Sequence, residues 1–103
     1  MTIEILYFSG CPNRGLAERR VREALRELGV DARVIHVNVE DEKTAERVRF
    51  PGSPTVRVNG ADVAPIAGDA PIAMSCRVYS TPSGFGGAPD KAAIRAAIAG
   101  STA

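Results

Sequence analysis

The sequence is short of charge imbalance, of long apolar runs, of cysteine and of histidine. Thirteen Lys and Arg against twelve Asp and Glu leave a formal net charge of +1, which gives no electrostatic reason to expect nucleic acid or an anionic membrane as partner. No apolar stretch is long enough to span a bilayer, and Met1-Thr2-Ile3-Glu4 enters a strand pattern without the basic and apolar regions of a signal peptide. A cytoplasmic location is the expectation. Two cysteines, Cys11 and Cys76, cannot build the disulfide framework of a small secreted domain. In a reducing compartment they read as thiols, so the interest lies in reactivity rather than in stapling. With the single histidine, His36, they do not have zinc-site spacing, and His36, inside a strand pattern, reads as a partly buried scaffold residue. The run Ser83-Gly84-Phe85-Gly86-Gly87 lacks the Lys-Ser/Thr of a phosphate loop and its strand-to-helix context. It reads as a flexible loop near the last helix.

What is present is the pattern of one ordinary globular domain over residues 1–103, 45% hydrophobic and 24% charged. Ile3 to Phe8 is an almost continuous apolar run, as in a strand covered on both faces. From about Pro12 to Leu28, Ala17, Val21, Ala24, Leu25 and Leu28 form one apolar stripe of a helix closed by Gly29. On its charged face Glu18 and Arg22 attract, while Glu23 and Glu27 repel unless Arg19 and Arg26 compensate. Arg33 to Val39 reads as a second strand, parallel to the first. Asp41 to Arg49 is a short helix with Asp41 as cap, stopped by Phe50-Pro51-Gly52-Ser53-Pro54. Thr55 to Val58 is a third strand ending at the turn Asn59-Gly60. An irregular stretch, 61 to 75, precedes a short fourth strand, Cys76 to Tyr79. Asp90 caps a last helix, Lys91 to Ala99, with Ile94 and Ile98 inward. The order β-α-β-α-β-β-α predicts an α/β fold: a four-stranded mixed sheet, its last two strands an antiparallel hairpin, with helices on both faces.

The chemistry concentrates where the first strand gives way to the first helix, at Ser9-Gly10-Cys11-Pro12-Asn13-Arg14. A helix N-terminus presents unpaired N–H groups and about half a positive charge, both of which favour a thiolate. Pro12 suits the first helical position, leaving Cys11 as the cap, and Arg14 adds a full positive charge. Settings of this kind bring cysteine pKa values from about 8.5 to between roughly 3.5 and 7.5. The plain alternative is a small apolar residue filling a helix–strand junction. A dithiol motif C-x-x-C would need a second thiol at position 14. Arg14 removes it, so a mixed disulfide on Cys11 must be resolved by Cys76 or by an external thiol such as glutathione. Cys76 reads either as that partner or as a buried core cysteine; in the expected hairpin it starts the fourth strand, away from Cys11, unless residues 61 to 75 carry it back.

Cys11-Pro12-Asn13-Arg14, Ser53-Pro54-Thr55 and the element order resemble the thioredoxin-like superfamily over nearly the whole chain. More narrowly, Tyr7 to Asn13, Gly52-Ser53-Pro54-Thr55 and Ser75-Cys76-Arg77-Val78-Tyr79 resemble short bacterial proteins described as thioredoxin-like or alkylmercury-lyase-like. The first resemblance implies a cis-proline at Pro54 beside the nucleophile, with the backbone of Ser53 free to pair with an extended substrate held by Ser53, Pro54 and Thr55. It also implies thiol–disulfide exchange through Cys11 with a protein or small-molecule disulfide, and no cofactor beyond a thiol co-substrate. The second implies capture or transfer of a soft metal or organomercurial by Cys11 and Cys76, thiolate being a soft ligand. That chemistry would want a carboxylate near the two thiols, although Asp62, Asp69 and Asp90 read as loop and cap residues. The full-length lyase also carries an N-terminal helical domain for which this chain has no room. A third possibility is an interaction module that keeps the fold without turnover.

Overall fold

The computed structural model describes residues 1–66 and 71–102; Asp69 lies outside them. Strand β1 is Thr2–Tyr7, helix α1 Arg14–Leu28, β2 Arg33–Asn38, α2 Glu42–Val48 and β3 Thr55–Val58. They are followed by β4 Ala61–Asp62, β5 Tyr79–Thr81, β6 Gly84–Gly86 and α3 Lys91–Thr102. One sheet has the order β2-β1-β3-β4. β1 and β2 run parallel, as a strand–helix–strand unit requires, and β3 is antiparallel to both β1 and β4.

Alternation along β1 explains the layering. Ile3 and Ile5 point to the face covered by α1 and α3, where Ala17, Val21, Ala24, Val56, Ile94 and Ile98 close the larger core. Leu6 points to the other face and meets Val39, Phe50 and Ala45 of α2. Helices thus cover both faces. Phe50, the largest fully buried side chain, anchors this second core, and truncating it to Ala would cost about 3–5 kcal/mol. Local signals act as the residue types suggest. Asp41 Oδ1 accepts from the Thr44 N–H at 2.8 Å, Gly29 takes a left-handed φ of 65° to end α1, and Asn59 and Gly60 form the tight turn, both at positive φ.

Three expectations are corrected. The partner of β3 is not the segment Cys76 to Tyr79 but the two residues just past the turn, Ala61–Asp62, since an Asn-Gly turn pairs the residues that flank it. Tyr79–Thr81 pairs instead with Gly84–Gly86 as a separate ribbon, so the glycine-rich run is half of a hairpin rather than a loop. Helix α1 starts at Arg14, with Asn13 in the capping position; neither Pro12 nor Cys11 belongs to it. On the charged face of α1, Arg22 does bind Glu18, at 3.0 Å. Glu27 is neutralised across the helix pair by Lys91 at 2.7 Å and Arg95 at 2.9 Å. Among the described residues no helix is long and apolar enough to cross a membrane.

Candidate functional site

Strand β1 ends by turning back on itself. The Cys11 N–H donates to the carbonyl of Phe8 at 3.1 Å, and Gly10 takes a φ of 85°, a conformation glycine adopts without penalty. This turn leaves Ser9, Gly10 and Pro12 exposed and Cys11 half-buried. Cys11, Arg14, Tyr7 and the turn residues line an open cleft of about 360 Å³. Arg14 is held there by stacking, its guanidinium carbon 4.4 Å from the centroid of the Tyr7 ring. The Tyr7 ring in turn meets His36 edge-on. His36 lies on the α1 side of β2, in register with Ile5, its side chain partly exposed and 3.3 Å from Glu18.

The second part of the site is the loop before β3. The Ser53–Pro54 bond is cis, and Ser53, Pro54 and Thr55 are all buried. The Ser53 hydroxyl accepts a hydrogen bond from the Phe8 N–H at 3.3 Å, so this loop and the Cys11 turn are joined through the single residue Phe8. The backbone of Ser53 is not free for a substrate. Its N–H donates to the Ser75 carbonyl and its carbonyl accepts from the Arg77 N–H, both at 2.9 Å, in an isolated parallel bridge with Cys76. Gly52 makes the approach possible. At a φ of 131° it occupies backbone space unsuited to side chains, and a Cβ there would lie 3.0 Å from that of Arg77.

Cys76 therefore lies beside the cis-proline loop, bridged to Ser53, rather than in a strand paired with β3. Cys76 is an exposed free thiol, not a core residue, and it shares a shallow hollow with Asn13, Val78 and Phe85. Val78 and Phe85 are 70% and 85% exposed, which makes the rim of this hollow apolar. Gly87 closes in from the other side, where a Cβ would fall 2.1 Å from the Asn13 amide nitrogen.

A polar cluster that the sequence did not reveal fixes the segment carrying Cys76. Arg77 is buried, and its Nη1 pairs with Asp62 Oδ2 at 2.7 Å and donates to Thr55 Oγ1 at 3.1 Å. Its Nη2 donates to the carbonyl of Ala64, and its guanidinium stacks over Tyr79 at 4.5 Å. The Tyr79 hydroxyl donates to the carbonyl of Pro54. Burial pushes the Tyr79 phenol well above its ordinary range against the pull of the Arg77 cation, and a negative charge on Cys11 would act in the same direction as burial. Asp62 is thus engaged as the partner of Arg77, and Asp90 serves α3, accepting from the Ala92 N–H at 3.2 Å. Residue type misleads here: alternation runs in phase with buried Tyr79, so Arg77 lies inside while its apolar neighbours Cys76 and Val78 are exposed.

The arrangement offers one half-buried thiol in a cleft with a cation and a second, exposed thiol on the neighbouring segment. Among the described residues no group of three or more His, Cys, Asp and Glu is placed to hold a metal ion. No protein-family model, no curated protein and no solved structure matches the chain.

Proposed function

We propose that this is a thioredoxin-like thiol protein in which the Cys11 thiolate attacks a disulfide or another thiol-reactive group. The observation that carries the reading is the hydrogen bond from the Phe8 N–H to Ser53 Oγ, which sets the cysteine turn and the cis-proline loop side by side. Cys11 forms a mixed disulfide with the substrate, and the displaced sulfur leaves as a thiolate. An external thiol or Cys76 then releases the bound half. The test is mass spectrometry of the protein after brief exposure to a small disulfide at neutral pH. Modification at Cys11, lost in Cys11→Ser and retained in Cys76→Ser, is the expected result. An unmodified Cys11 under conditions where free cysteine reacts overturns the reading.

A second reading, soft-metal or organomercurial binding by two thiols, is favoured by one observation: Cys76 is paired with Ser53 rather than lying at the far end of the sheet. Titration with Hg(II) should then give one tight equivalent in the wild type and a weaker one in Cys76→Ser. Equal affinity in both counts against a two-thiol site.

A further inference from the structure

The two halves of the site carry opposite messages about substrate size and charge. On the cis-proline side, both backbone polar groups of Ser53 are satisfied within the chain by Ser75 and Arg77. A glycine at 52 and the ion pair of buried Arg77 with Asp62 support that pairing. An extended polypeptide has no open backbone edge to extend at this point, so the usual source of affinity for a peptide strand is already spent.

On the Cys11 side the cleft is open and small. Its volume of about 360 Å³ falls at the lower end of the roughly 300–1,000 Å³ typical of small-molecule sites. Its formal charge comes from Arg14. The carboxylate one turn further along α1, Glu18, is committed to Arg22 and His36. Among the described residues no ion pair to Arg14 is formed. The stack holds the guanidinium over Tyr7, which lines the cleft together with Cys11 and Arg14, with its donors available to a carboxylate. Glu40 accepts a hydrogen bond from Asn38 and does not line the cleft.

We propose that the Cys11 cleft selects a small disulfide that carries a carboxylate, with Arg14 binding the carboxylate while Cys11 attacks the sulfur. The inference rests on the thiol reading given above and adds the substrate class. In the reaction, the Cys11 thiolate forms a bond to one sulfur of the disulfide as the S–S bond breaks. The electron pair leaves with the other sulfur, and the departing thiolate takes a proton from water. A second molecule of the same thiol reverses the step, so no further oxidant or reductant is needed.

The experiment compares rates of mixed-disulfide formation on Cys11 with three symmetrical probes: dianionic dithiodipropionate, neutral hydroxyethyl disulfide and dicationic cystamine. Each is measured on the wild type, Arg14→Lys and Arg14→Gln. Leaving-group differences among the probes cancel when the anionic-to-cationic rate ratio is compared between proteins. The ratio should fall about two- to fivefold in Arg14→Gln, survive in Arg14→Lys, and shrink with added salt, as expected for an exposed charge pair. An unchanged ratio in Arg14→Gln overturns the inference while leaving the thiol reading intact. A linear peptide bearing one cysteine as a mixed disulfide should react no faster than hydroxyethyl disulfide, and a peptide that outruns dithiodipropionate also overturns it. Absence of modification at Cys11 by every probe defeats the thiol reading itself.

Discussion

Buried Arg77, on the segment that holds Cys76 against Ser53, pairs with the partly buried Asp62 at 2.7 Å. Removing one member of such a pair leaves an uncompensated charge, so Asp62→Ala should lower the unfolding free energy by about 3 kcal/mol. Denaturant titration measures this. The same variant should make Cys76 react faster with a thiol reagent relative to Cys11, because the bridge to Ser53 loosens first.

Gly52→Ala tests the approach of the two segments from the other side. Its φ of 131° and the 3.0 Å approach of the Arg77 Cβ allow no side chain without movement, and the backbone strain alone should cost about 1–3 kcal/mol. Slower amide exchange at Ser53 and Arg77 in the wild type than in the variant would register the lost pairing. Equal exchange would argue that the segment simply shifts with the new methyl group.

Alkaline pH should expose the burial of Tyr79. Its folded value is raised above the ordinary 10.0 by desolvation, so the unfolded chain gives up its phenolic proton first. Stability is then complete below about pH 10 and falls as pH rises toward the folded value. In a Tyr7→Phe background the phenolate absorbance of Tyr79 should rise together with the unfolding signal rather than before it.

Acid acts through a different set. Glu27 is lowered first by its hydrogen bond to Lys91 and also by Arg95, and Glu18 is lowered first by its hydrogen bond to Arg22 and also by His36. Depressed carboxylates contribute stability above the ordinary glutamate value of 4.5, and that contribution is lost as pH falls through their folded values. Glu27→Gln should therefore flatten the decline of the unfolding midpoint between pH 5 and about pH 3. High salt should flatten it as well.

The parts of this protein that were legible in its sequence are those decided locally. Gly29 closes its helix, Asp41 caps the next, Asn59-Gly60 makes the turn, and Ile94 and Ile98 face the core because three- and four-residue spacing leaves them no other side. The turn at Cys11 and the loop at Ser53-Pro54 also stood out, because each departs sharply from the elements around it. What could not be read was decided by contacts distant in sequence. Cys76 sits where the pairing of Ser53 puts it, and that pairing depends on an ion pair between Asp62 and Arg77, residues whose types ordinarily indicate surface. The start of α1 also moved, from Pro12 to Arg14, because Cys11 closes a turn onto Phe8 instead of capping the helix.

The outer strand β4 is only two residues long, and the chain leaves it at Val63, whose N–H still reaches the Val56 carbonyl. The next N–H, of Ala64, is taken by the Asp62 side chain, and Pro65 has none to offer. This margin of the sheet presents almost no template to a neighbouring molecule. Copies of the protein at high concentration should for that reason resist adding strand to strand along this border, whatever happens at the thiols.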